Sequence, residues 1–290
     1  MTFPRETGRA ASGVGAGAHW QANLDLSFER RDGRTVLTGN LHKGPLQVQK
    51  ALYPEGGGTC HIAILHPPGG IAAGDRLSVG ASLGGGSRAL LTTPGATKWY
   101  RSEGEWARQA VRFDVLGDAV LEWLPRENIF FDEARISSTL DVALSPDAAY
   151  FGWDIMSFGR RASGESWRAG CFELRSAIRR DGRLLWSEVA NVDAGSGFAQ
   201  SPVGLAGMSV CGTFVVAGYE VANGLLAECR QIKPARAAGR IGITCVPEVL
   251  IARYLGDSTE EAFDWFNDLW AVLRPALTAR AACPPRVWAC

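Results

Sequence analysis

The sequence predicts a mostly β protein: a single layered β-sheet domain, β-helix-like or sandwich-like, with two C-terminal α-helices. Three observations support this prediction. Short segments of residues 1–245 largely alternate apolar and polar side chains with period two, and clusters of turn-forming residues separate these segments. Helical periodicity is scarce before residue 246 and clear after it.

Five segments show the alternation of a half-buried strand most clearly. They are residues 24–28, 35–38, 46–49, 111–115 and 138–142. Turn signals such as Asp32-Gly33 and Asp181-Gly182 lie between the predicted strands. The combination indicates layered antiparallel sheet in which each strand buries one face.

Two helices are predicted near the C-terminal end. The first covers about residues 247–255, because Pro247 suits a first helical turn and Gly256 suits a left-handed cap. The second covers about residues 258–273, where Ser258 and Glu261 match a capping box and apolar residues recur at spacings of three and four. Pro275 is expected to end this second helix.

Nothing in the composition divides the chain into parts. It contains no internal repeat and no low-complexity linker. We expect a flexible N-terminus over residues 1–18, which are rich in Ala and Gly, followed by one domain over residues 19–290.

Charge and hydropathy argue against several classes of partner. The chain has 30 Lys and Arg residues against 30 Asp and Glu, so no net charge attracts nucleic acid. Its most apolar stretch, residues 205–218, is shorter than the roughly 20 residues of a membrane span, so no membrane is expected. Seven cysteines without a CxxC pair favour reduced thiols, and the N-terminus is a poor signal peptide; we therefore expect a cytoplasmic protein.

Enzyme motifs are weak. Residues 80–84 read Gly-Ala-Ser-Leu-Gly and fit the GxSxG nucleophile elbow, but a triple glycine follows where the elbow needs a helix. All four histidines precede Ser82, whereas the hydrolase order places the histidine after the serine. No P-loop, GxGxxG helix start or HExxH is present. A β-rich serine hydrolase remains an alternative with little support.

A local metal site is the other chemical hypothesis. Cys60, His61 and His66 lie close in sequence, and thiolate and imidazole are ligands for nickel or zinc. In a strand, however, His61 and His66 point to opposite faces. The Pro-Pro-Gly-Gly segment after His66 favours a rigid turn that presents Asp75.

Seven blocks of the sequence, in one order over residues 20–288, resemble the UreD family of urease accessory proteins, called UreH in some systems. The blocks are GPLQVQKALYPEG, CHIAILHPPGGIAAGDRL, LLTTPGATKWYRS, LEWLPRENIFFD, GWD, GRRASGESWRAG, and LRPALT with PPRVW.

The resemblance implies a urease maturation factor that is not an enzyme. Such a protein docks on apo-urease, binds UreF and through it recruits the GTPase UreG, in a hetero-oligomeric complex for which a dimeric form is left open. It also implies a passage for Ni²⁺ to the urease site. No tightly bound cofactor is expected, only transient Ni²⁺.

Weakly held nickel calls for scattered oxygen ligands rather than a closed cage. The residues that the resemblance offers for this passage are Asp75, Thr97, Asp154, Glu165, His66 and Glu188. Two alternatives stay open. An acidic residue after glycine often caps a turn, as Asp75 could, and the whole protein could be a structural scaffold without a nickel path.

The aromatic residues suggest where partners bind. Trp99 and the Trp265/Trp270 face of the second helix are candidates for contacts with UreF or urease, because tryptophan is enriched in interfaces as well as in cores. We expect the C-terminal helix pair to lie near the UreF contact.

Overall fold

The computed structural model describes residues 19–235 and 239–289, and in them eighteen strands and two α-helices. The predicted flexible segment 1–18 lies outside the described residues. In chain order the strands are β1 (Gln21–Arg31), β2 (Arg34–Lys43), β3 (Gln47–Val48), β4 (Cys60–Leu65), β5 (Gly70–Ile71), β6 (Arg76–Leu83), β7 (Arg88–Thr92), β8 (Thr97–Trp99), β9 (Ala107–Val115), β10 (Val120–Trp123), β11 (Asn128–Phe130), β12 (Arg135–Leu144), β13 (Ala149–Phe158), β14 (Cys171–Arg180), β15 (Arg183–Asp193), β16 (Val210–Ala217), β17 (Arg240–Val246) and β18 (Val249–Gly256). The helices are α1 (Asn223–Gln231) and α2 (Thr259–Thr278).

The chain winds back and forth between two sheets. One sheet has seven strands in the order β15-β14-β12-β9-β6-β1-β2. The other has eleven, with the main order β17-β18-β16-β13-β10-β7-β4-β3. From β6 to β14 the long strands alternate between the sheets, so neighbours within each sheet run parallel. This solenoid-like winding confirms the prediction of a mostly β, layered protein with helices in its C-terminal part.

The predicted antiparallel arrangement is correct at the ends of the winding and wrong in its centre. β1–β2 and β14–β15 are antiparallel hairpins, and both residues of Asp32-Gly33 and of Asp181-Gly182 have positive φ, as a type I′ turn requires. In the centre, the turns at 84–87, 116–119 and 145–148 connect strands of different sheets, each closed by a 3.1 Å backbone hydrogen bond. Alternation and turn residues are the same in both arrangements, so the sequence does not distinguish them.

Two apolar cores follow from this layering. β13 contributes side chains to both cores, because successive side chains point to opposite faces of the sheet. Tyr150 and Met156 lie in the core between the sheets, while Trp153 and Ile155 lie in the core under the helices. The outer face of the seven-stranded sheet is exposed, as the alternating burial of β1 shows. Neither of the α-helices in the described part has the length and hydropathy needed to cross a membrane.

The predicted helix at 247–255 is wrong, because Val249–Gly256 forms β18 between β16 and β17. Successive side chains of β18 enter the two cores alternately, so nearly every position is apolar and the strand lacks polar alternation. Pro247 lies in the hairpin before it, where Glu248 has φ +63°. Pairing with β16 and β17, rather than local sequence, determines the secondary structure of this segment.

The predicted helix at 258–273 is confirmed as α2, and its capping box is present, since Ser258 accepts from the Glu261 N–H at 3.1 Å. The helix nevertheless continues past Pro275 to Thr278, because a proline in the last turn removes only one N–H. The sequence analysis missed α1, which begins with Asn223-Gly224, a typical turn signal, and has no side-chain N-cap.

The tryptophans proposed as partner contacts are core residues. Trp99, Trp265 and Trp270 are each 1% exposed or less. They pack against the sheets rather than facing a partner, so the prediction of an exposed aromatic contact face was wrong.

Arg274, near the end of α2, joins the helix to the sheet through a buried ionic cluster. Its Nε donates to Glu122 Oε1 at 3.0 Å and its Nη2 to Glu55 Oε1 at 2.8 Å. Trp270 Nε1 donates to Glu122 Oε2 at 2.6 Å, and His61 Nε2 lies 2.6 Å from Glu55 Oε1.

Burial raises the pKa of Glu55, but hydrogen bonds with His61 and Arg274 outweigh it and lower the pKa to about 2. The stability that Glu55 contributes is therefore present above about pH 4.5 and lost as the pH falls toward 2.

Replacing Arg274 by Ala should destabilise the protein by about 3–5 kcal/mol, because it leaves two buried carboxylates without their counter-ion. Chemical denaturation measures the loss. Arg175→Ala, on the exposed face of β14, is the matched control and should change the unfolding free energy by less than about 0.5 kcal/mol. A loss below about 1 kcal/mol for Arg274→Ala would contradict the role assigned to this cluster.

Candidate functional site

A cavity of about 70 Å³, lined by both polar and apolar side chains, lies between the two sheets, with room for several water molecules. Strands β9, β12, β14 and β15 line it from one sheet, and β8, β10, β11, β13 and β16 from the other. Its polar lining consists of Thr93, Thr97, Gln109, Arg126, Asn128, Ser138, Thr139, Tyr150, Asp154, Ser176, Glu188 and Thr213.

Strand register brings the charged members of the site to one level. Asp154 of β13 pairs with Thr213 of β16, which pairs with Arg253 of β18. In the facing sheet, Ser176 of β14 pairs with Glu188 of β15. Directly paired residues point to the same face of a sheet, so the two rows face each other across the cavity.

Asp154 is a partly buried carboxylate that lies between the two sheets. Asn128 Nδ2 donates to its Oδ1 at 2.8 Å, and Asn128 Oδ1 in turn accepts from Trp99 Nε1 at 2.9 Å. Burial raises the pKa of Asp154 to about 6; the Asn128 hydrogen bond opposes the rise, and the charge of Glu188 adds to it. Near neutral pH the group is therefore mostly ionised.

Glu188 is the second carboxylate of the cavity. Its Oε1 accepts a hydrogen bond from Arg253 Nη1, which also donates to Thr213 Oγ1 at 2.7 Å. The ion pair between Glu188 and Arg253 therefore links the edge strand of the seven-stranded sheet to the eleven-stranded sheet.

Thr97 is the third candidate residue that the structure places at the cavity. It begins β8, and its N–H donates to the Glu127 carbonyl at 2.9 Å. Thr97, Asp154 and Glu188 supply only oxygen ligands, which hold nickel less tightly than thiolate or imidazole does.

Asp75 lies outside the lining of this cavity. It is 2% exposed, and its carboxylate accepts from the Trp20 N–H at 2.7 Å and the Ala72 N–H at 2.9 Å. These bonds cap the turn before β6 and attach the start of β1 to it. The geometry corresponds to the turn-capping alternative that the sequence left open.

Glu165 and His66 also lie outside the cavity lining. Glu165 forms an ion pair with Arg160 at 2.8 Å, and this hydrogen-bonded pair lowers the pKa of the Glu165 carboxyl. Burial lowers the pKa of His66, while the charge of Asp75 opposes that change, and its Nε2 is buried without a hydrogen bond. Of the six candidates, three therefore meet at the cavity.

The local trio Cys60, His61 and His66 forms no metal centre. Over residues 19–235 and 239–289, no three His, Cys, Asp or Glu side chains lie close enough to hold a metal ion. His61 instead bonds Glu55 in the ionic cluster under α2. The six cysteines in these ranges, Cys60, Cys171, Cys211, Cys229, Cys245 and Cys283, are free, as expected for reduced thiols.

The thiol nearest the two carboxylates stays protonated. Burial raises the pKa of Cys211 to about 12, and the charges of Asp154 and Glu188 add to the rise. Cys211 is not among the residues that line the cavity.

The serine hydrolase alternative is not supported by the structure. Ser82 lies inside β6, where it pairs with Ser27 and Asp114 in the sheet. The nucleophile elbow needs a strand followed by a sharp turn and a helix, which this position lacks.

Sequence reasoning missed three residues of the site: Asn128, Thr213 and Arg253. Asn128 lies in the block LEWLPRENIFFD, which drew attention only through its resemblance. Arg253 lies in the segment predicted as a helix. Its position beside Glu188 depends on pairing between strands 40 residues apart and on contact between the two sheets.

Comparison with known proteins points to one family. A sequence model described as UreD urease accessory protein matches residues 21–289. The chain is 50% identical over 272 residues to the urease accessory protein UreD of Dechloromonas aromatica (strain RCB), covering 93% of this chain and 94% of that protein. It is 48% identical over 273 residues to the UreD of Methylobacillus flagellatus, covering 94% and 95%. The UreD of Azoarcus sp. (strain BH72) is 48% identical, with 93% and 94% covered.

Replacing Asp154 by Asn should stabilise the protein at neutral and higher pH. A folded-state pKa raised from 3.8 to about 6 means that ionisation costs the folded state up to about 3 kcal/mol, a cost that grows as the pH rises through 4 to 6. Thermal unfolding of both proteins between about pH 4 and pH 8 measures the difference. It should be small at the acid end and grow with pH; a difference that is constant over the range, or a Glu173→Gln control showing the same trend, would contradict the prediction.

Proposed function

The chain belongs to the UreD family of urease accessory proteins, and from this premise we propose how it serves urease maturation. It docks on apo-urease, binds UreF and, through UreF, recruits the GTPase UreG. Ni²⁺ then passes between its two sheets on the way to the urease site. The chain itself catalyses no reaction; nucleotide hydrolysis belongs to UreG, and nickel is cargo rather than a resident cofactor.

The observation that carries this proposal is a cavity between the two sheets into which two carboxylates face. Burying a carboxylate without water or a counter-ion is costly, yet Asp154 and Glu188 both face this space. Threonine and serine hydroxyls and the Asn128 amide surround them. Such a lining supports water and a hydrated cation, which a packed core does not.

The ligand types also support transfer rather than storage. Carboxylate, hydroxyl and water are weaker ligands for nickel than the thiolates and imidazoles of tight sites. The Cys211 thiol, the nearby stronger ligand, is not part of the cavity lining. Asp154, whose pKa is about 6, is mostly ionised near neutral pH and meets an arriving cation as a carboxylate.

The location of the UreF contact stays a prediction. The tryptophans of α2 are buried, so the outward face of this helix is what it offers to a partner. That face is acidic, with Glu260, Asp264 and Asp268 exposed along successive turns. A basic or polar surface on UreF would complement it.

A scaffold without a nickel path is the second candidate, and the positions of Asp75 and Glu165 favour it. Both carboxylates are engaged in local structural bonds rather than facing the cavity. On this alternative, the protein would hold urease and UreF together, and the carboxylates of the cavity would be dispensable.

The test is the nickel content of urease co-expressed with its accessory proteins. With the Asp154→Asn/Glu188→Gln variant, we expect nickel content and urease activity to fall roughly tenfold, a scale typical of disturbing one part of a metal site. Pull-down of UreF and urease should be unchanged, because both substitutions keep the shape of the side chains.

The matched control is Glu173→Gln, a carboxylate on the outward face of β14, which should leave nickel content unchanged. Full nickel loading by the cavity variant would favour the scaffold. Loss of nickel together with loss of the complex would show that the substitutions disturb assembly rather than transfer.

A further inference from the structure

Arg253 places a positive charge where the proposed cargo would bind. Its guanidinium forms an ion pair with Glu188 and donates to Thr213, and both of these residues line the cavity. Glu188 is therefore not a free ligand. The guanidinium competes with a divalent cation for this carboxylate and repels the cation.

The ion pair lies where the two sheets are held together by side chains rather than by backbone hydrogen bonds. Glu188 belongs to β15, the last strand of the seven-stranded sheet, and Arg253 to β18, next to the last strand of the other sheet. Along the same side, Glu248 forms ion pairs with Arg180 and Arg183. Side-chain contacts of this kind open at lower cost than a strand pair does.

Arg253 is the more exposed partner of the ion pair. Its side chain is 46% exposed, whereas that of Glu188 is 24% exposed. Arg253 therefore lies at the boundary between the cavity and the solvent, and its flexible stem allows the guanidinium to swing outward while the carboxylate stays inside. Partly exposed ion pairs of this kind contribute little to stability.

The ion pair between Glu188 and Arg253 also affects the charge balance of the cavity. The two carboxylates of the cavity, Asp154 and Glu188, carry two negative charges when ionised, and Arg253 pairs with one of them. Arg126, which also lines the cavity, forms its ion pair with Glu127 instead. Without the pairing of Glu188 with Arg253, the empty cavity would hold a second uncompensated negative charge. A divalent cation bound at the two carboxylates neutralises both, so the guanidinium is no longer needed as a counter-charge.

We propose that Arg253 is an exchangeable internal counter-cation: it occupies Glu188 while the cavity is empty, leaves when a divalent cation enters, and returns to help release that cation. This inference rests on the proposed function, because it concerns the same cavity. On this proposal the two carboxylates bind the cation, and Arg253 controls how tightly it is bound.

The test is the affinity of the purified full-length chain for Ni²⁺, measured by equilibrium dialysis. Arg253→Gln and Arg253→Met remove the competing charge, so each should bind Ni²⁺ at least about fivefold more tightly than the unaltered protein. Arg253→Lys keeps a positive charge and should bind about as weakly as the unaltered protein. Arg175→Gln removes an outward-facing arginine of β14 and should have no effect.

Asp154→Asn and Glu188→Gln separate this inference from the proposed function. Weaker binding by these two variants, together with no gain for Arg253→Gln and Arg253→Met, would overturn the role of Arg253 and leave the cation site standing. Unchanged binding by all four variants would overturn both. If neither neutral variant of Arg253 folds, as judged by circular dichroism, Arg253 is a structural tie between the sheets and the proposal fails.

Discussion

The constraint on which the rest depends is the presence of two carboxylates, Asp154 and Glu188, between two sheets. Carboxylates in an apolar core must be paired, hydrogen-bonded or wet. The protein meets this requirement with the Asn128 amide, the Arg253 guanidinium and a cavity lined by hydroxyl groups. The two carboxylates therefore need a cavity at a place where apolar side chains would otherwise pack. The raised pKa of Asp154 shows that burial still disfavours its ionised form.

The winding of the chain makes this arrangement exact in register. Antiparallel pairing of β13, β16 and β18 brings residues far apart in sequence to one level, as in the row Asp154–Thr213–Arg253. The second core and the buried cluster around Arg274 hold α2 against the outer face of the eleven-stranded sheet. The sheet that carries Asp154 is thereby supported from behind, while its inner face is free to be polar.

Sequence reasoning reached the features that local pattern determines. Alternation predicted strands, Asp32-Gly33 marked a hairpin, and Ser258 with Glu261 marked the start of α2. It misread Val249–Gly256, because a strand buried on both faces has the composition of a helix. Thr97, Asp154 and Glu188 were found through resemblance rather than periodicity. Asn128 and Arg253 were missed because their roles arise from contacts across the fold, and Asp75 was ambiguous because turn capping and metal binding both favour a carboxylate after glycine.

The central claim is that a divalent cation passes between the sheets beside Asp154 and Glu188. Anomalous X-ray diffraction at the nickel edge, from crystals of the complex with UreF exposed to Ni²⁺, tests it most directly. The account predicts an anomalous peak within bonding distance of at least one of the two carboxylates, with the Arg253 side chain displaced toward solvent. Nickel bound only on the outer surface, with the cavity unchanged and the Glu188–Arg253 pair intact, would contradict it.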